Sequence, residues 1–179
     1  DPKQKNIFLG KAYALGSSLY EEDQFAKSEI QKINTSIYNK DEKITPLYKK
    51  IVGWSLDYYD TIYERMGTKF DGKFNESEVQ EPGKKLVLDN IGKVFKEDQG
   101  AIIFAGSEHG LHNRVFISST GNPTYEAKDM ALAQMQYKAF PFDLAIHVVG
   151  SEQDDYFKVI FKALEQINPE VAKKERHLS

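Results

Sequence analysis

The chain has 179 residues, 40% of them hydrophobic, which is enough for a substantial core in one domain or one and a half. Its formal net charge of −3 excludes the strong basic bias of proteins that bind nucleic acids or membrane surfaces. The absence of cysteine excludes disulfides and thiolate zinc sites and fits a cytoplasmic location. No apolar run approaches the ~18 residues needed to span a bilayer. The beginning, DPKQKNIF, has neither an initiator Met nor a signal-peptide core, so we expect a piece of a longer protein.

The first third of the chain, residues 7–67, has the residue spacing of amphipathic helices. Ser18 followed by Glu21 matches a capping box and predicts that a helix begins there. The clearest helix is ITPLYKKIVGWSLDYYDTIYERMG, in which Thr45 is expected to cap the start and Gly67 to end the helix in the left-handed conformation. Its apolar residues recur at intervals of three and four and are predicted to pack in a core: Leu47, Ile51, Trp54, Tyr58, Ile62 and Met66.

Residues 68–118 have the composition of β-strands. The runs KKLVLDNI, KVFKED and GAIIFAG are short and rich in β-branched and aromatic residues, and we predict a strand in each. The tripeptide DQG (98–100) is a predicted tight turn between the last two. NRVFISS (113–119) is a further predicted strand.

From residue 114 onward, strands and helices alternate. RVFIS is followed by a predicted helix over 125–139, and LAIHVVG (144–150) is followed by a helix in DDYFKVIFKALEQI that stops near NPE (168–170). LAIHVVG is apolar throughout and is therefore predicted to be buried on both faces. Connections this short predict that the two strands are parallel neighbours joined by a right-handed crossover, which is an α/β fold.

Three polar side chains follow these two strands. Tyr125 and Asp129 are four residues apart on one helix face, just beyond RVFIS, and Gln153 comes just after LAIHVVG. Ligands of open α/β sheets bind at the carboxyl ends of the strands, so adjacent strands would bring the three side chains into one crevice. An acid beside an amide and a phenol suits a planar cation such as guanidinium. The alternative is that Asp129 is a solvated surface residue and that Gln153 caps its helix.

A second polar cluster lies in SEHGLH. Glu108, His109 and His112 have a spacing that metal ligands use, but no further ligand set is clear, so polar loop residues are the favoured interpretation. His147 lies within an apolar strand and is predicted to be a hydrogen-bonded core histidine.

Glu76, Glu78 and His177 stay without a predicted role. The two glutamates could be read as an acid pair of a glycosidase, but no second carboxylate is placed opposite them. His177 lies in RHLS at the end of the given sequence.

The order of several segments resembles the arginyl-tRNA synthetases, a class I synthetase family. The resemblance covers nearly the whole chain and is most specific in PTYEAKDMALA and in EQDDYF after the next strand. It implies a Rossmann-like catalytic-domain segment in which Tyr125, Asp129 and Gln153 line the pocket for the guanidinium group of arginine. Many relatives carry His at the position of Tyr156, where an aromatic side chain could contact the adenine of ATP.

The resemblance also implies boundaries. Residues 1–67 would be the helical part of an insertion in the catalytic domain, 68–112 its small β-rich part, and 113–179 a segment of the second half of the nucleotide-binding fold. The HIGH and KMSKS-type motifs of the family, which handle ATP phosphates, do not occur in the chain. We therefore expect no catalytic residue within it and no activity of the chain alone.

The implied activity of the intact protein is ligation of L-arginine to its tRNA through an arginyl-adenylate. ATP would be a substrate, with Mg²⁺ expected alongside it and with neither membrane nor DNA as a partner. A different class of function stays open, namely a non-catalytic binding or interaction module derived from a class I synthetase.

Overall fold

The computed structural model describes all 179 residues, which form two units, Asp1–Asp71 and Gly72–Ser179. The first unit consists of helices, and the second contains four helices and all five strands. No helix has both the length and the apolar character that a membrane span requires.

Three helices build the first unit: α1 (Pro2–Glu22), α2 (Gln24–Tyr38) and α3 (Thr45–Met66). α1 packs against both of the others. The predicted end of α3 is confirmed, because Gly67 has a φ of 67° there. The predicted capping box was wrong, since Ser18 lies inside α1 and donates to Glu22 Oε1. The actual start signal is Asp23, whose carboxylate accepts from two backbone N–H groups at the start of α2.

The apolar side chains of α3 form the predicted core only in part: four of the six are half-buried, namely Ile51, Trp54, Tyr58 and Ile62. None of the three helices contains a fully buried residue, and Leu47 and Met66 are 55% and 71% exposed. Thr45 does not cap α3 either, because Ile44 holds the N-cap position without a side-chain bond. α3 packs mainly against α1, and one neighbouring helix offers too little surface to bury the whole apolar stripe.

The second unit begins with a helix that the sequence analysis missed, α4 (Glu76–Leu88). It contains most of the run KKLVLDNI, which was wrongly predicted as a strand. Pro82 and Gly83 are residues that usually break helices, so the local sequence argues against a helix here. However, Asn75 N–H donates to Glu78 Oε2 at 2.7 Å and starts the helix before them. A Cβ at Gly83 would lie 2.5 Å from the carbonyl oxygen of Ala127, so the glycine lets the next long helix approach closely.

A three-stranded antiparallel sheet follows, in the order β1 (Lys96–Asp98), β2 (Ala101–Phe104) and β3 (Arg114–Ile117). The predicted DQG turn is confirmed, with positive φ at Gln99 and Gly100. All three strands fall within predicted strand runs.

The remaining elements are α5 (Tyr125–Ala139), β4 (Ala145–Val148), α6 (Asp154–Ile167), α7 (Pro169–Ala172) and β5 (Glu175–Leu178). The two long helices agree with the prediction.

The predicted pairing of strands was wrong. β3 pairs antiparallel with β2, whereas β4 pairs in parallel with β5 in a separate two-stranded sheet. β5 escaped prediction because its sequence, ERHL, has a single apolar residue. β4 is half-buried on one face and exposed on the other, where Ile146 and Val148 are 53% and 74% exposed. The fold is nevertheless α/β, with helices packed on both sheets and one parallel pair.

The core of the second unit lies where α4, α5 and α6 meet the antiparallel sheet. Three phenylalanine rings form its centre, with ring centroids 4.8–6.4 Å apart. Each fully buried side chain of this size contributes about 1.5–3 kcal/mol. The largest buried apolar side chains are Phe95, Phe104, Phe116, Met130, Leu164, Val87, Val159 and Val171.

Candidate functional site

The start of α5 is fixed to the end of β3 by one threonine. Thr124 Oγ1 donates to the carbonyl oxygen of Val115 at 2.7 Å, and Thr124 N–H donates to that of Phe116 at 3.0 Å. Tyr125 is therefore the first residue of the helix, and Asp129 lies one turn further along. This attachment places both side chains near the end of β3, as the sequence predicts.

Asp129 points toward α6. Its Oδ2 accepts a 2.6 Å hydrogen bond from the hydroxyl of Tyr156 in the first turns of that helix. Burial raises the pKa of Asp129 above its usual value, while the Tyr156 bond and the nearby His147 act in the opposite direction. Glu126 and Glu76 raise this pKa further by charge repulsion. A half-buried acid among other acids gains from a cationic partner.

Tyr156 is held on two sides. The guanidinium carbon of Arg114 lies 5.1 Å from the centroid of its ring, and the ring of Phe157 meets it edge-on at 5.2 Å. Arg114 is itself held by Glu126, with Nη1 3.3 Å from Oε1. Burial raises the pKa of Tyr156, and the charge of Asp129 adds to this, so the phenol keeps its proton and donates.

Tyr125 presents its ring to solvent and is 64% exposed. Lys128 Nζ lies 5.1 Å from the ring centroid and forms a 2.6 Å bond with Glu76 Oε1. The side chain of Lys128 is 7% exposed, which is rare for lysine and reflects this pairing. Glu76, which had no predicted role, thus ties α4 to α5, and Glu78 caps α4.

Gln153 ends a short 3₁₀ turn, Ser151–Gln153, directly before α6. Its side chain is exposed and forms no hydrogen bond, either as a helix cap or with Asp129 or Tyr125. The structure brings Asp129 into contact with Tyr156, and it shows no hydrogen bond that would join Gln153 to this pair. The contact between Asp129 and Tyr156 depends on the packing of α5 against α6, and not on the two adjacent parallel strands that the sequence predicts.

His147 is a hydrogen-bonded histidine, as predicted. Its Nε2 lies 2.6 Å from Oε2 of Glu175, and its ring packs against Phe157 and Phe161 at 5.0 and 5.6 Å. Glu175 could not be predicted from the sequence, because β5 was not predicted and a buried acid in a charged segment gives no periodic signal. The ring of His177 stacks on Phe157 as well, with the two ring centroids 4.9 Å apart.

The polar loop of Glu108, His109 and His112 serves packing and surface pairing. Glu108 pairs with Lys96 at 2.9 Å, and its pKa is lowered by that contact. The ring of His109 stacks on Phe104 at 5.4 Å. No group of three or more His, Cys, Asp or Glu residues is arranged to hold a metal ion.

Residues 6–178 match the family described as tRNA synthetases class I (R), catalytic domain. The chain is 31% identical to the arginine–tRNA ligase of Borreliella afzelii over 186 residues, which is 99% of this chain and 32% of that protein. It is 30% identical to the arginine–tRNA ligase of Treponema denticola over 187 residues, again 99% and 32%. The crystal structure of arginyl-tRNA synthetase from Plasmodium falciparum has a similar fold, with a TM-score of 0.73 and 23% identity over 90% of this chain and 28% of that one.

The chain therefore spans about a third of the length of the curated relatives that it matches. Within that third, the family match runs almost from end to end and includes α5 and the start of α6. The chain belongs to the class I arginyl-tRNA synthetase family.

Proposed function

We propose that the protein containing this chain ligates L-arginine to its tRNA. Arginine would first react with ATP to give an arginyl-adenylate and pyrophosphate, and the terminal hydroxyl of the tRNA would then take the arginyl group. The observation that carries the proposal is the half-buried carboxylate of Asp129, which has a raised pKa and lies in a chain of this family. We expect the protein to act in the cytoplasm, without membrane or DNA partners.

The side-chain pocket would consist of Tyr125, Asp129 and Gln153. Asp129 would accept two N–H bonds from the guanidinium group, and the exposed ring of Tyr125 would provide a flat face beside it. Gln153, with its unpartnered amide, would supply one more polar contact. Arginine would be preferred over lysine because its rigid planar fork matches a carboxylate, which an ammonium group does not.

Catalysis in this proposal depends on positioning of the reactants and on stabilisation of phosphate charge. We assign neither of these tasks to a residue of this chain, because the HIGH and KMSKS-type motifs are not part of it. Mg²⁺ would accompany ATP through its phosphates. The chain's own contribution is selection of the amino acid.

The test is arginine-dependent exchange of pyrophosphate into ATP, together with aminoacylation of tRNA, by the full-length protein. We expect both reactions with arginine and neither with lysine. We expect the 179-residue chain alone to give no exchange, even with tRNA present. Arginine binding by the full-length protein without exchange would contradict the ligase proposal and identify a binding module.

A further inference from the structure

Four side chains contact one another in sequence, and the first and the last of them belong to the same helix, α5. Asp129 accepts from Tyr156, the Tyr156 ring faces Arg114, and Arg114 pairs with Glu126. Glu126 and Asp129 are three residues apart on α5, so the series joins α5 to α6, then α6 to β3, and β3 back to α5. The orientation of Asp129 is therefore set by three secondary-structure elements.

The two carboxylate oxygens of Asp129 differ in their surroundings. Oδ2 accepts the bond from Tyr156. Oδ1 accepts no hydrogen bond and is not a buried atom. A carboxylate has about four acceptor positions on its two oxygens. The Tyr156 bond uses one position and leaves enough for a planar donor that approaches from the side of Oδ1.

We propose that Tyr156 is a positioning residue of the arginine pocket, whose hydroxyl holds Asp129 with Oδ1 free for the substrate's guanidinium group. This inference depends on the proposed function, because it assumes that Asp129 binds arginine. It assigns Tyr156 to amino-acid selection rather than to adenine, since one side of its ring faces Arg114 and its hydroxyl is occupied.

The hydrogen bond from Tyr156 also affects the pH at which Asp129 ionises. Burial raises the pKa of Asp129, and the Tyr156 hydroxyl is the strongest influence that lowers it. The other groups that face Asp129 are His147 on β4, Glu126 on α5 and Glu76 on α4. Removal of the hydroxyl should raise the pKa of Asp129 further, so arginine binding should be lost at a higher pH on acidification.

The experiment compares Tyr156→Phe with the unchanged full-length protein. We expect kcat/KM for arginine to fall by about tenfold at neutral pH, with the KM for ATP unchanged. We also expect the acid limb of the pH profile for arginine to shift upward. His147 is present in both proteins, so the shift between the two profiles is the measured quantity.

Tyr137→Phe is the matched control. It removes a hydroxyl of the same unit that contacts Lys174 at 2.9 Å and Glu170 at 3.4 Å, and it should leave the arginine profile unchanged. If Tyr156→Phe does not fold, Arg114→Met tests the same series of contacts by removing the guanidinium group beside the Tyr156 ring, and kcat/KM for arginine should again fall.

The outcomes separate the two proposals. If Asp129→Asn uses arginine as well as the unchanged protein does, the proposed pocket itself is wrong. If Asp129→Asn is impaired but Tyr156→Phe has a normal arginine profile, the positioning role is overturned. A rise in the KM for ATP with a normal KM for arginine in Tyr156→Phe would also overturn it and assign Tyr156 to the nucleotide.

Discussion

The buried carboxylate of Glu175 lies 2.6 Å from Nε2 of His147 and joins β5 to β4. The side chain of Glu175 is fully buried, and that of His147 is 23% exposed. The remaining oxygen, Glu175 Oε1, is buried without a hydrogen-bond partner. His147 is thus the only side chain that compensates the burial of this acid.

The first prediction concerns this pair. Glu175→Ala should lower the stability of the full-length protein by roughly 3 kcal/mol, because it leaves a cavity and removes the partner of His147. Glu175→Gln should cost less, since its amide can still bond to the imidazole. Both effects are measured as shifts in the thermal unfolding midpoint. Glu165→Ala is the control: it breaks an exposed pair with Lys162 and should cost at most about 1 kcal/mol.

The second prediction concerns two glycines inside helices. Gly83→Ala should destabilise the protein by about 1–3 kcal/mol, because the new Cβ would meet the backbone of Ala127 and push α5 away from α4. Gly53→Ala, in α3, meets no atom within 4 Å and should stabilise its helix by roughly 0.5–1 kcal/mol. The two substitutions should shift the thermal unfolding midpoint in opposite directions. An unchanged midpoint in Gly83→Ala would contradict the close packing of α4 and α5.

The elements with strong local signals could be predicted from the sequence. α5 and α6 follow from their places after the runs RVFIS and LAIHVVG, and the DQG turn and the glycine end of α3 follow from backbone preferences. α4 was missed because local breakers at its centre are outweighed by a tertiary contact, the approach of Gly83 to Ala127. The predicted pairing of β3 with β4 was also wrong. Which strand pairs with β3 or β4 depends on contacts between residues that are distant in sequence.

In the candidate site, too, local features could be predicted from the sequence and contacts between distant residues could not. The spacing of Tyr125 and Asp129 placed them together on one helix face without any knowledge of the fold. The contact between Asp129 and Tyr156 could not be predicted, because it joins residues 27 positions apart through the packing of two helices. No local pattern in the sequence distinguishes a tyrosine that bonds to an acid from one that stacks on a base.

The third prediction concerns arginine kinetics. Asp129→Asn keeps the shape of the side chain but removes its charge, and hydrogen bonds to charged groups contribute about 1.5–3 kcal/mol. In the full-length protein, kcat/KM for arginine should fall by at least about tenfold, while the KM for ATP stays unchanged. Asp89→Asn, which affects an exposed pair with Lys85, should behave as the unchanged protein does. Normal arginine kinetics in Asp129→Asn would exclude Asp129 from the pocket.

The fourth prediction concerns the stability of the same variant. Burial raises the folded-state pKa of Asp129 above the value of about 3.9 expected in the unfolded chain. Ionised Asp129 therefore destabilises the fold at neutral pH, and this penalty decreases as the pH falls through the folded-state pKa. Asp129→Asn carries no such penalty, and its amide oxygen can still accept from Tyr156. The variant should melt above the unchanged protein at about pH 8, and the difference should shrink as the pH falls toward about 4. If the variant instead melts well below the unchanged protein at neutral pH, Asp129 stabilises the fold, and its raised pKa does not reflect a carboxylate kept for a ligand.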